Sequence, residues 1–207
     1  DLVIVVGDPG RVVEISEHFS QIEHKRSNRE FNSVTGYYNG KRISALSTGI
    51  GTDNCDIVMH ELDALANFNL ATRVQNPDHR SLKIVRIGTS GSIQPDVPVN
   101  SFSLSTHAVG LDNLLYFYRD SENVIDHDLT AAFARHAEWP ETLSRPYFIK
   151  GAADLIMLFE PRRVSGITLT APGFYGPQGR FLRLHLTDPE IIGKFQRFRH
   201  RNHLHHH

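Results

Sequence analysis

Three short stretches of this chain combine glycine with arginine or hydroxyl side chains. They are Gly7-Asp8-Pro9-Gly10-Arg11, Arg86-Ile-Gly-Thr89-Ser90-Gly91, and Phe174-Tyr-Gly-Pro-Gln178-Gly-Arg180. Each lies where a run that reads as a strand gives way to glycine. In open α/β sheets, ligands collect at the carboxyl ends of strands. Glycine at such an end lets backbone N–H groups approach an anion with no side chain in the way. Arginine adds a fixed fork of donors that matches phosphate oxygens. Taken singly, Gly7 to Gly10 is a turn and each arginine a surface residue. Taken together, Gly7, Arg11, Arg86 and Thr89 describe a phosphate cradle.

Other chemistry-bearing patterns fail on spacing. Gly49-Ile-Gly51 resembles the opening of a dinucleotide fingerprint, but Asn54 stands where the third glycine belongs. There is no Gly-Lys-Ser/Thr phosphate loop. His60-Glu61 is followed by Ala64 where a zinc protease needs its second histidine, so no metal site is expected. Cys55 falls on an apolar helical stripe and reads as a core residue, not a nucleophile. It is the single cysteine, so no intrachain disulfide can form, and a reducing cytoplasmic setting is expected.

The elements that must position these residues alternate between strand and helix. Residues 2–6 form a continuous apolar run, the mark of a strand buried on both faces. A helical pattern follows through Val12, Val13, Ile15 and Phe19. Residues 31–38 and 42–47 flank Asn39-Gly40, a strong hairpin signal because both residues accept positive φ. Thr52 or Asp53 is expected to cap the next helix, whose stripe comprises Cys55, Val58, Met59, Leu62, Leu65 and Ala66. Strands are expected over 83–87, 99–106 and 164–170, and helices around 128–138, 152–159 and 188–198. This alternation means an α/β fold.

The 207 residues fit one compact domain at about 150 residues per domain. Lys plus Arg is 22 against 23 for Asp plus Glu, a net charge of −1, so no nucleic-acid footprint is expected. No apolar stretch of about 18 residues offers a membrane span. The tail His203-Leu204-His205-His206-His207 reads as a purification tag.

Val6-Gly-Asp-Pro-Gly-Arg-Val12, Ser47-Thr-Gly-Ile-Gly51 and Arg86-Ile-Gly-Thr-Ser-Gly-Ser-Ile-Gln94, in that order and spacing, resemble the nucleoside phosphorylase-I family. The resemblance covers residues 2 to about 202. It implies a three-layer α/β/α fold with a central mixed sheet, in one domain over 1–202. It also implies reversible phosphorolysis, in which phosphate attacks the ribose C1′ and the base leaves. In that pattern Gly7, Arg11, Arg86 and Thr89 hold phosphate. Ser27-Asn-Arg-Glu-Phe31 resembles a segment that lends an arginine to the neighbouring subunit. Arg29 would then act across a homodimer interface, in a dimer or a trimer of dimers. Glu30 beside it reads as half of an exposed salt bridge; the alternative the resemblance implies is a monovalent-cation ligand at a subunit interface, as in some bacterial relatives.

The stretch 174–180 resembles the uridine phosphorylase insert, in which a glutamine and an arginine read uracil. Ser90, Gly91, Phe174, Gln178 and Arg180 would contact base and ribose. Arg86, Gln178 and Arg180 would carry catalysis. The partners implied are uridine or uracil and phosphate. Phosphate is a co-substrate, and no cofactor is implied. The family's Glu-Met-Glu ribose segment, with the strand and helix after it, is not found: the pattern runs to Phe198-Arg-His-Arg-Asn202. The residues leave alternatives open: a purine nucleoside phosphorylase or nucleosidase of the same fold, or a non-catalytic nucleoside- or phosphate-binding relative.

Overall fold

The computed structural model describes residues 2–159 and 164–200, so the His-rich tail lies outside the described residues. The chain divides into two compact units, residues 1–89 and 90–207.

The first unit is built on a mixed five-stranded sheet. Its strands are β1 (Leu2–Val6), β2 (Gln21–Asn28), β3 (Phe31–Tyr38), β4 (Lys41–Ser47) and, after two short strands β5 (Phe68–Asn69) and β6 (Val74–Gln75), β7 (Lys83–Ile87). The order across the sheet is β2-β3-β4-β1-β7. β1 pairs in parallel with β4 on one side and β7 on the other, with Val6 level with both Ser47 and Ile87. Val3, Val5 and Val6 are all buried, as a strand covered on both faces requires. Helix α1 (Pro9–Glu17) covers one face, where Val6, Val12, Val34 and Ala45 form a core flanked by Ile4, Ile15 and Phe19. Asp8 caps α1, its carboxylate accepting from the Gly10 N–H at 2.8 Å. The Asn39-Gly40 turn has φ of +48° and +73°, the backbone that a two-residue hairpin demands.

Three expectations change in this unit. β2 was not expected: it is exposed throughout and has no apolar alternation to betray it. It is an edge strand whose charged residues, Glu23, Lys25 and Arg26, guard an unpaired flank. The Glu23 carboxylate is held below the usual range, first by a 2.7 Å hydrogen bond from Arg42 and then by one from the Tyr37 hydroxyl. Helix α2 (Thr52–Asn67) is capped by neither Thr52 nor Asp53. Gly51, at φ +102°, takes the cap position and leaves both residues inside the first turn. The α2 stripe is also largely uncovered. Only Val58 and the terminal Asn67 are buried, while Leu65 is 65% exposed and Cys55 is half-buried. Helical spacing marks a face, but burial depends on what lies opposite it.

The second unit carries a three-stranded mixed sheet in the order β10-β8-β9, from β8 (Ser103–Gly110), β9 (Tyr147–Lys150) and β10 (Val164–Thr170). β8 runs parallel to β10 and antiparallel to β9. It starts four residues later than the expected 99–106. Val99 and Phe102 are apolar but 91% and 72% exposed, so hydrophobicity placed the strand too early. Helix α3 (His127–His136) begins at Asp126, whose carboxylate accepts from the Leu129 N–H at 2.9 Å. Helices α4 (Ala153–Phe159) and α5 (Ile191–Arg197) complete the unit. Phe133 on α3 is the hub of the core, with ring centroids 5.3 Å from Phe148, 5.4 Å from Phe195 and 5.2 Å from Phe198. No helix among the described residues is long and apolar enough to cross a membrane.

Candidate active site

Parallel pairing decides what stands at the carboxyl end of the first unit's sheet. Because β1 lies between β4 and β7 in one register row, the residues after Val6, Ser47 and Ile87 are neighbours, about one strand spacing (~4.8 Å) apart. These residues are Gly7, Thr48 and Gly88. Thr48 is pinned by a 2.8 Å hydrogen bond from its N–H to the Val6 carbonyl. A Cβ at Gly7 would sit 3.6 Å from the Gly49 carbonyl oxygen, so the first and second loops touch. Arg11 lies in the first turn of α1, at the helix end that favours anions.

Arg86 is exposed, and its guanidinium folds over Gly88: a Cβ there would lie 3.1 Å from Arg86 Cζ. Thr89 is the next residue and is exposed. The tip of the β2–β3 hairpin comes to this same end, because β3 runs antiparallel to β4 and starts where β4 finishes. Arg29 occupies the tip, exposed, at φ +53°. Among the described residues the side chains of Arg11, Arg29 and Arg86 make no hydrogen bond or ion pair. The expected Arg29–Glu30 salt bridge is not formed. Glu30 instead accepts a 2.8 Å hydrogen bond from the Asn54 side-chain amide.

The second unit gathers Ser90, Gly91, Phe174, Gln178 and Arg180. The stretch after β10 closes in a 3-10 turn over Gly176–Gln178, with Gly179 at φ +69°. The Arg180 N–H then donates to the Tyr175 carbonyl at 2.9 Å. This reversal lays the Arg180 guanidinium over the Phe174 ring, 4.1 Å from Cζ to centroid. Tyr175 packs edge-on against Phe174. A Cβ at Gly91 would meet Arg180 Nη2 at 3.8 Å, so the Ser90-Gly91 loop lies beside the same guanidinium. The Gln178 side-chain amide is half-buried and makes no hydrogen bond among the described residues. Beside Arg180 is a hollow of about 390 Å³, walled by Tyr175, Phe181, Leu182, Leu184 and Leu186.

The structure thus brings Gly7, Arg11, Arg29, Arg86 and Thr89 to one end of one sheet. It brings Ser90, Gly91, Phe174, Gln178 and Arg180 into one loop cluster of the other unit. Sequence reasoning passed over Gly88 as a seat for Arg86, and Glu30 and Asn54 as a linked pair. The glycines at 49 and 51 were the available signal, since both stand where the backbone turns out of a strand. Among the described residues no group of three or more His, Cys, Asp or Glu converges.

Comparison with known proteins identifies the family and the fold. The phosphorylase superfamily profile matches residues 1–198. A uridine phosphorylase from Haemophilus influenzae is 37% identical over 117 residues, which is 56% of this chain and 41% of that enzyme. The aligned stretch therefore spans under half the length of that relative. A purine nucleoside phosphorylase, DeoD-type, from Shewanella loihica is 27% identical over 192 residues, covering 87% of this chain and 76% of the relative. A crystal structure of a Trypanosoma brucei nucleoside phosphorylase, described as showing uridine phosphorylase activity, superposes with a TM-score of 0.82 at 27% identity. That match covers 95% of this chain and 71% of the other. The α/β fold with mixed sheets is accordingly the nucleoside phosphorylase fold.

Proposed function

We propose, for a chain that belongs to the phosphorylase superfamily, that it is a pentosyltransferase catalysing the reversible reaction of uridine with phosphate to give uracil and ribose 1-phosphate. One observation carries the choice of base. Gln178 and Arg180 stand two residues apart on a tight turn, and Arg180 is seated over Phe174. Uracil offers two carbonyl acceptors and one N–H donor. The Gln178 amide has both an acceptor and donors, and Arg180 has donors only, so the pair can satisfy all three groups. Phe174 supplies a flat apolar face for ring or ribose.

Phosphate falls to Gly7, Arg11, Arg86 and Thr89, with Arg29 donated across a homodimer interface. Two uncommitted guanidinium groups beside a glycine turn and a helix N-terminus form an anion site with nothing else to neutralise. In the forward reaction a phosphate oxygen forms a bond to C1′ as the C1′–N1 bond breaks, and that electron pair leaves with uracil. Negative charge grows on the base while the sugar gains oxocarbenium character, as in glycoside hydrolysis. Donors from Gln178 and Arg180 that shorten onto the departing base favour the transition state over the substrate. Holding phosphate against C1′ supplies the rest by positioning.

A second reading keeps the phosphate chemistry and changes the base to a purine. The Shewanella relative, named for purine nucleosides, aligns over more of this chain than the Haemophilus one. A hydrolytic nucleosidase is disfavoured, because water needs neither Arg11 nor Arg86. The test is release of free base from uridine and from inosine, each with and without inorganic phosphate. Uracil release that requires phosphate is expected. Hypoxanthine release in its place would select the purine reading, and a rate independent of phosphate would overturn both. Gln178→Ala should cut uridine turnover and leave phosphate binding near its original strength. Unchanged turnover would remove the base-reading role.

A further inference from the structure

Arg29 sits at a hairpin tip with φ +53°, a conformation that a side-chain-bearing residue keeps only where its surroundings fix it. The next residue is tied through both its carbonyl and its carboxylate. The Glu30 carbonyl accepts from the Ser47 hydroxyl at 2.6 Å, and that same oxygen of Ser47 accepts from the Asn32 N–H at 2.8 Å. The Glu30 carboxylate accepts from Asn54 Nδ2 at 2.8 Å, and Nδ2 also donates to the Ile50 carbonyl at 3.2 Å. One amide therefore spends both protons to tie the hairpin tip to the first turn of α2 and to the loop between β4 and α2. Glycine at position 49 makes room for this. At φ +70°, a Cβ there would stand 2.9 Å from Asn54 Nδ2 and would press into the Glu30 stem. The opposite side of Gly49 is its carbonyl, which faces Gly7. The carboxyl of Glu30 lies below its ordinary range, owing to its own backbone N–H and then to Asn54.

We infer that Asn54 and Glu30 are positioning residues: they fix the hairpin tip from which Arg29 is donated to the partner subunit's phosphate, without touching phosphate themselves. The inference rests on the phosphate-holding role proposed above for Arg29. The asparagine amide supplies both donors from one nitrogen. Alanine has no donor, and aspartate would face the Glu30 carboxylate with a second negative charge.

The test is a double-mutant cycle on the full chain, read by calorimetric titration with inorganic phosphate, with thermal melting to confirm that each variant is folded. Asn54→Ala should weaken phosphate binding about tenfold, and Asn54→Asp further still. Glu30→Gln keeps an acceptor and should stay within about twofold. Arg29→Ala should weaken binding as well, and adding Asn54→Ala to it should cost nothing more. In turnover, the KM for phosphate should rise and the KM for uridine should not. If Asn54→Ala does not fold, Glu30→Ala opens the same latch from the other side.

Full additivity of Asn54→Ala and Arg29→Ala would overturn the positioning role and leave Arg29 as a phosphate ligand. Wild-type phosphate binding by Asn54→Ala would overturn it equally. Wild-type binding by Arg29→Ala would instead remove the phosphate role of Arg29, and this inference with it.

Discussion

Gly88→Ala separates the geometry of the phosphate end from the stability of the fold. Gly88 does not use the left-handed backbone region, so alanine can adopt its conformation. A substitution of that kind gains about 0.4–1 kcal/mol by restricting the unfolded chain. Set against this is crowding: the new methyl would run into Arg86 Nη1 and lie 3.1 Å from Arg86 Cζ and 3.3 Å from Nη2. Those atoms are the far end of an exposed, flexible side chain, so they can swing away at little cost. Folded stability should therefore change by less than about 1 kcal/mol.

The same swing takes the guanidinium off its seat. If Arg86 donates to phosphate from where it now lies, the variant loses much of one charge-assisted contact, worth about 1.5–3 kcal/mol. That corresponds to a rise of roughly 10- to 150-fold in the KM for phosphate. The assay is uridine phosphorolysis at varied phosphate, beside a chemical denaturation curve, with Arg86→Ala as the reference for complete loss. A Gly88→Ala enzyme with an unchanged KM for phosphate, next to an impaired Arg86→Ala, would refute the idea that the observed seat is the working one. A stability loss above about 2 kcal/mol would show that backbone strain, not side-chain displacement, governs the site.

Two further predictions concern the second unit. Phe133→Ala should destabilise it by about 3–5 kcal/mol, because Phe133 joins α3 to β9 and to the aromatic residues at 195 and 198; denaturant titration checks this, and a loss under 1 kcal/mol would show that the hub can collapse around the gap. Tyr147 donates to Asp112 Oδ1 at 2.6 Å, and burial, then that bond, push its phenol well above the ordinary value. The neutral form is the one the fold prefers, so its contribution is complete below the unfolded value near 10 and is lost as pH rises past it. Tyr147→Phe should cost about 1 kcal/mol at pH 7 and flatten the alkaline limb of melting temperature against pH; an unchanged limb would refute this.

Much of the first unit was legible because its signals are local. The apolar run 2–6 and the Asn39-Gly40 turn each demand one backbone arrangement, and both are found. β2 was not legible, since a charged edge strand is stabilised by its pairing partner and not by its own pattern. The start of β8 was misplaced for the opposite reason: Val99 and Phe102 are apolar without being covered. At the candidate site, glycine and arginine announced themselves by chemistry. Asn54 was noted only as a residue that broke a fingerprint. Its use as a two-proton tie depends on the hairpin tip of residues 29–30 returning to the loop before α2, a tertiary fact that no spacing in the sequence encodes.

The distribution of donors bears on how one fold serves different nucleosides. Gly7, Thr48 and Gly88 are placed by the register of three parallel strands, and a one-residue slip would turn Arg86 to the other face of the sheet. Such positions change only if the sheet changes. Phe174, Gln178 and Arg180 lie in a stretch whose one regular feature is a single 3-10 turn, with Phe174 62% and Tyr175 53% exposed. Loops of this kind accept substitution without disturbing the scaffold beneath them. For a family whose relatives are named for both uridine and purine nucleosides, the proposed assignment would pair a rigid anion site common to the reaction with a replaceable loop for the base. It follows that exchanging residues 174–180 for the corresponding loop of a purine relative should shift base preference while the KM for phosphate stays put. A parallel loss of both would mean that the two sets of donors are not separable, and that the loop also shapes the phosphate site.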